Sequence, residues 1–140
     1  MKNLKNLLEK LNFDEISTPY KDDSEERVYG LFKEDGTKIG ESKFTSSKFG
    51  GKAWYLRDIC ILPKFERQGY GSKLLELTCS KMWSIKKKDI VLSVPGNTIA
   101  KDGFDRYQWY LRHNFTGSPD FMTRKSCAFL NLNYLCNLFI

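Results

Sequence analysis

Two glycines, Gly69 and Gly71, stand one residue apart between a polar segment, Lys64 to Gln68, and a run carrying Leu74, Leu75, Leu77, Thr78, Met82 and Ile85 near helical spacing. Ahead of them lies Ile59-Cys60-Ile61-Leu62, closed by Pro63. A short β-branched run stopped by proline reads as a buried strand, because proline offers no ladder N–H. Strand, glycine loop and helix together can hold a phosphate. The first amides of a helix have no internal partner, the helix dipole favours an anion there, and glycines let the backbone come close. On the glycines alone, a tight turn before an ordinary helix explains the pattern as well. The stretch is not a Walker A loop, since no Gly-Lys-Ser/Thr follows at the required spacing. Nor is it the dinucleotide fingerprint, since Leu74 occupies the third glycine position.

About twenty positions in order carry more information. Ile61-Leu62-Pro63, then Glu66-Arg67-Gln68-Gly69-Tyr70-Gly71, then Ser72-Lys73-Leu74-Leu75 resemble motif A of the GNAT superfamily of acyl-CoA-dependent N-acetyltransferases. That motif runs from an aliphatic-x-Pro strand end, through Arg/Gln-x-x-Gly-x-Gly/Ala, into a helix with a small residue and a Leu-Leu pair. Glu66 departs from it, placing a carboxylate where Arg or Gln is usual; Arg67 and the helix N-terminus would offset its repulsion of a pyrophosphate. Further on, Trp109-Tyr110 and Asn114-Phe115 resemble the family's Phe-Tyr-x-x-x-Gly-Phe segment, with Asn replacing Gly as a left-handed helix terminator.

The resemblance implies acetyl-CoA as co-substrate, no metal, and an amine acceptor. It places CoA contacts at Ile61, Leu62, Arg67, Gln68, Gly69, Tyr70, Gly71 and Ser72, with a backbone amide near Ile61 or Leu62 polarising the thioester carbonyl. A tyrosine on the second helix would protonate the departing sulfur. Tyr110 matches, Tyr107 is the fallback, and a core aromatic is the plain alternative. Asp58 would take the amine proton, directly or through water, unless it only pairs with a cation across the sheet. Ser72 reads as a phosphate contact or helix-start residue rather than a nucleophile, because no Ser/His/Asp order accompanies it. His113 reads as a helix C-terminal residue with no assigned chemistry.

These residues need a scaffold, and the chain is long enough for one. Its 140 residues, 41% hydrophobic and 14% aromatic, predict a single globular domain, 1–140. No apolar run approaches the roughly 20 residues that span a bilayer, and the N-terminus lacks an apolar signal core. Cys60, Cys79, Cys127 and Cys136 are widely spaced and accompanied by one histidine, so they read as reduced, buried cysteines of a cytoplasmic protein rather than zinc ligands. The net charge of +6 fits a CoA tail and mildly favours an acidic protein or RNA-linked acceptor. Part of that charge, Lys86-Lys87-Lys88, reads as a solvated helix end.

Leu4, Leu7, Leu8 and Leu11 predict an amphipathic helix over residues 2 to about 12. Residues 14 to 26 read as a loop, which the resemblance sets beside the acceptor site. Arg27 to Glu34 and Thr37 to Thr45 predict strands joined by an Asp35-Gly36 hairpin, and Trp54 to Leu62 a third. A helix over Gly71 to about Lys87 and a strand over Asp89 to Val94 would make a parallel βαβ unit. A second helix, Phe104 to His113, precedes a strand from Phe115, a join over Thr116 to Asp120, and a strand over Ser126 to Asn133. The apolar tail, Tyr134 to Ile140, would pack on the body or on a second subunit in a homodimer. The fold expected is mixed α/β: a GNAT-like central mixed, mostly antiparallel sheet flanked by helices, with a βαβ acyl-CoA-binding unit and no evident first strand. A GNAT-like binding module without catalysis is the rival reading, with Glu66 as the mark of a degraded CoA site.

Overall fold

The computed structural model describes residues 9–16, 26–46, 48–94, 96 and 98–126. Seven strands form one sheet in the order β1-β2-β3-β4-β5-β7-β6. They are β1 (Leu11–Ile16), β2 (Arg27–Lys33), β3 (Lys38–Thr45), β4 (Trp54–Ile61), β5 (Ile90–Leu92), β6 (Thr116–Ser118) and β7 (Phe121–Arg124). Helix α1 (Tyr70–Ile85) joins β4 to β5, and α2 (Arg106–Arg112) follows β5. Every pairing is antiparallel except β4 with β5, so the βαβ unit forms as expected.

The β2–β3 hairpin closes as its sequence predicts. Asp35 Oδ1 accepts from the Thr37 N–H at 2.9 Å, and Gly36 takes φ +90°. Helix α1 buries Leu74, Leu75, Thr78, Cys79 and Met82 completely, and it packs on β3 and β4. Thr78 donates to the Leu74 carbonyl at 2.7 Å, so the Ser42 hydroxyl donates to Thr78 Oγ1 at 2.8 Å. Both residues are fully buried. Thr78→Val is therefore expected to cost about 1–3 kcal/mol by orphaning the Ser42 hydroxyl. Adding Ser42→Ala should recover part of that loss in denaturant unfolding, and a neutral single variant would show that the pair contributes nothing.

Three sequence expectations need correction. Leu11 and Asn12 belong to β1, not to a helix, and Asp14 to Ile16 continue that strand rather than a loop; residues 1–8 and 17–25 lie outside the described residues. Leu11 completes the leucine stripe in sequence, but pairing of β1 along its whole length with Val28 to Lys33 of β2 gives its backbone groups a ladder instead. Thr116 to Ser118 is β6 rather than a join, and it pairs with an unanticipated β7 across the Pro119-Asp120 turn. The strand expected over Ser126 to Asn133 lies outside the described residues after Ser126, as does the tail. Cys60 is exposed rather than buried, whereas Cys79 is buried as expected; Cys127 and Cys136 are not among the described residues.

Candidate active site

The site is a gap that the sheet opens in itself. β4 and β5 are paired only at Trp54 with Ile90 and Tyr55 with Val91. Beyond that the parallel strands part, and a cavity of about 630 Å³ opens between Leu56 to Ile61 on one side and Leu92 to Val94 on the other. This is the size of a small-molecule site. A bulge at Arg57 shifts the β4 register between the Lys43–Asp58 and Phe44–Leu56 pairs. It lets Leu56 and Ile59 both pack on the core while Asp58 and Cys60 stay exposed.

The free edge of β4 presents backbone donors. The Leu62 N–H donates to the Ile39 carbonyl at 2.8 Å. Antiparallel pairs alternate, so Cys60 also bonds toward β3, while Ile59 and Ile61 turn their N–H groups away from it, to the side β5 has left. Of the two amides considered for carbonyl polarisation, Leu62 is thus occupied and Ile61 faces the gap.

Gly69, with φ +89°, is the N-cap of α1, and the helix's first backbone bond is Lys73 N–H to Gly69 carbonyl at 3.3 Å. Gly71 and Ser72, ahead of that bond, line the cavity, as do Glu66 and Arg67. Arg67 is engaged: its Nε donates to Asp102 Oδ2 at 2.9 Å, and its guanidinium lies 4.1 Å from the Phe104 ring centre. The Phe104 N–H and then the Arg67 guanidinium hold the Asp102 carboxyl below the usual carboxylate range. The side chains of Gln68 and Tyr70 are not part of the lining. Gln68 donates to the Lys64 carbonyl at 3.0 Å, and Tyr70 is buried, donating to Glu9.

Tyr110 lines the cavity from α2 and is almost wholly buried. Burial pushes its phenol well up; Arg106 pulls it down, and Asp58 and Cys79 add to the rise. Among the described residues none hydrogen-bonds its hydroxyl. Tyr107 points elsewhere, donating to the Gly117 carbonyl at 2.6 Å. Asp58 lines the same cavity, and among the described residues no cation sits within ion-pair distance of it; its neighbour Arg57 pairs with Glu26 at 3.2 Å.

The structure joins Ser72 and His113, which the sequence treats separately, to Glu76 and Arg124. Ser72 Oγ lies 3.0 Å from His113 Nε2, and His113 Nδ1 lies 3.0 Å from Glu76 Oε1. Arg124 grips Glu76 through both terminal guanidinium nitrogens, at 3.0 and 3.2 Å. The Trp109 Nε1–H donates to Ser72 Oγ at 3.3 Å. The order Ser, His, Glu is that of an activated nucleophile. Two contacts work against such a role: the indole N–H occupies a lone pair of Oγ, and Arg124 neutralises the carboxylate that would stabilise an imidazolium. The spacing of Ser72 and Glu76 by one helical turn was the available signal, but no local rule brings His113 to it. Among the described residues no cluster of three His, Cys, Asp or Glu side chains could hold a metal ion, and no helix is long and apolar enough to cross a membrane.

The model of the Acetyltransferase (GNAT) family matches residues 3–113. Among solved structures, the chain is similar to a GNAT family acetyltransferase from Elizabethkingia anophelis with acetyl-CoA bound, at 14% identity and a TM-score of 0.62, covering 82% of this chain and 97% of that one. It is similar to a mutant of spermidine N-acetyltransferase SpeG from Vibrio cholerae, at 13% identity and a TM-score of 0.68, covering 88% and 98%. Nourseothricin acetyltransferase matches at 18% identity and a TM-score of 0.54, covering 79% and 71%. No curated protein matches the chain. At these identities the structural likeness shows the fold.

Proposed function

The chain belongs to the GNAT acetyltransferase family, and we propose that it transfers an acetyl group from acetyl-CoA to an amine in the gap between β4 and β5. The observation that carries this reading is the parting of those strands after Tyr55, which leaves the Ile59 and Ile61 amides facing a cavity that Tyr110, Asp58 and the start of α1 also line. The residues suit CoA. The pantetheine arm carries amides that a free strand edge can pair with. The first-turn amides of α1 suit the pyrophosphate. The acetyl-CoA-bound neighbour supports the same choice.

Acetyl-CoA supplies a thioester carbonyl. Asp58 accepts the proton of the incoming ammonium, so that the neutral amine can attack. The Ile61 N–H, aimed into the gap, stabilises negative charge on the carbonyl oxygen. Tyr110 gives its proton to the sulfur as the C–S bond breaks. The acceptor classes are a protein lysine or N-terminus, a polyamine, an antibiotic and an aminoacyl-tRNA. The spermidine and nourseothricin enzymes among the neighbours support the small amines, and the net charge of +6 supports acidic or RNA-linked ones. The free thiols of Cys60 and Cys79 suit a reducing, cytoplasmic setting. An acceptor panel read by release of free CoA thiol tests the reading; acceptor-dependent thiol supports it, and none across all four classes sinks it.

Glu66 in the lining favours the rival, a binding module without catalysis. Melting with and without acetyl-CoA separates the two, since ligand at 100 times its Kd stabilises by about 2.7 kcal/mol. No shift at millimolar acetyl-CoA favours the module. If Glu66 faces the pyrophosphate, Glu66→Gln should tighten acetyl-CoA binding by up to about fivefold, the scale of an exposed charge pair. Titration calorimetry showing unchanged or weaker affinity would mean that the carboxylate points away.

A further inference from the structure

Ser72 has one proton and, as the hydrogen bonds stand, it is already committed. The Glu76 carboxylate, gripped by Arg124, can only accept, so His113 Nδ1 must carry the hydrogen between them. In the neutral imidazole Nε2 is then a lone pair, and the Ser72 hydroxyl must donate to it across 3.0 Å. Trp109 Nε1–H fills a lone pair of Oγ. What the Ser72 side chain turns toward the cavity is therefore acceptor only, which suits no anion, although its backbone N–H does.

A proton on His113 reverses this. Nε2–H then donates to Oγ, and the Ser72 hydroxyl is released to donate toward whatever lies at the start of α1. Charge permits the change. The charged group that His113 touches is Glu76 from α1, whose carboxylate Arg124 from β7 also holds, so a proton on His113 puts a second cation on one carboxylate, a cost that a bound anion offsets. Arg112, beside it on α2, is exposed.

We propose that His113 is a positioning residue for the pyrophosphate of CoA: while neutral it holds the Ser72 proton, and on CoA binding it takes up a proton of its own and releases the Ser72 hydroxyl to the phosphate. The inference rests on the CoA reading above and deepens it. Binding raises the affinity of His113 for its proton. CoA affinity is then fullest below the free-state titration of His113 and is lost as pH rises toward its titration in the complex.

His113 is the chain's only histidine, so its ring protons can be followed by NMR without any substitution. The probe is dephospho-CoA, because the terminal phosphate monoester of CoA itself titrates near pH 6. The expected result is a titration midpoint that rises by about one unit or more at saturating dephospho-CoA, with Kd growing by up to about tenfold per pH unit between the two midpoints. His113→Gln, whose amide is a permanent donor, should flatten that dependence. A midpoint that stays or falls in the complex overturns the proposal, and so does a His113→Gln variant that keeps the wild-type slope. Failure of dephospho-CoA and CoA alike to bind at every pH overturns the CoA reading and this inference with it.

Discussion

Tyr110→Phe should lower kcat by about 10²–10⁴-fold, the range of general acid catalysis, and leave KM for acetyl-CoA nearly unchanged. The substitution removes one oxygen from a buried ring that packs edge-on against Trp109 and Phe115, so the fold keeps its packing. Burial holds the phenol protonated at neutral pH, which is the state an acid must start from. A phenol pushed up is a weaker acid, so the hydroxyl acts only as negative charge builds on the departing sulfur, in the transition state. Tyr107→Phe is the control. It loses a hydrogen bond to Gly117 and about 0.5–1.5 kcal/mol of stability, while kcat should hold. A crippled Tyr107→Phe beside an active Tyr110→Phe would assign the acid to the other tyrosine. Two active variants would leave protonation to water or substrate.

What could be read in the sequence was local. Ile59 to Pro63, the glycine pair and the α1 stripe each state their structure within a few residues, and strand, turn and helix formed, although Cys60 and Leu62 are exposed where a buried run was expected. Asp35-Gly36 set its hairpin, and Asn114 ends α2 with φ +68° as a left-handed terminator should. Strand β1 was hidden because Leu11 fits a helical stripe, and what makes it a strand is pairing with β2, which sequence periodicity does not contain. The β6–β7 hairpin was hidden by its own turn chemistry, since Gly117, Pro119 and Asp120 read as a connection. The bulge at Arg57 leaves no signature, yet it decides which β4 side chains pack on the core. The Ser72–His113–Glu76–Arg124 chain depends on α1, α2 and β7 packing together, across 52 positions of sequence from Ser72 to Arg124 (124 − 72). Such contacts are tertiary by nature, and residue types alone did not point to them.

Gly71→Glu should abolish acetyl-CoA binding and leave the fold intact. A Cβ at Gly71 would sit 3.6 Å from Trp109 and 3.7 Å from Ile61, ordinary contact distances, and the backbone there needs no left-handed conformation. Glu is also the better helix former, by up to about 1 kcal/mol, so stability should hold or rise. Its carboxylate, however, would extend from the first turn of α1 into the cavity that Gly71 lines. There it takes the amides that a pyrophosphate needs, as a tethered competitor, and repels the phosphate as well. The thermal shift of about 2.7 kcal/mol expected at 100 times Kd for the parent chain should vanish. Gly69→Ala differs in its effect on the fold. Its φ of +89° is costly for any residue with a Cβ, so about 1–2 kcal/mol of stability is lost, where Gly71→Glu should lose none. Denaturant unfolding and calorimetric titration of both variants check the pair. If Gly71→Glu binds acetyl-CoA within a few-fold of the parent chain, the anion does not lie at the start of α1, and the assignment of the loop to CoA is wrong.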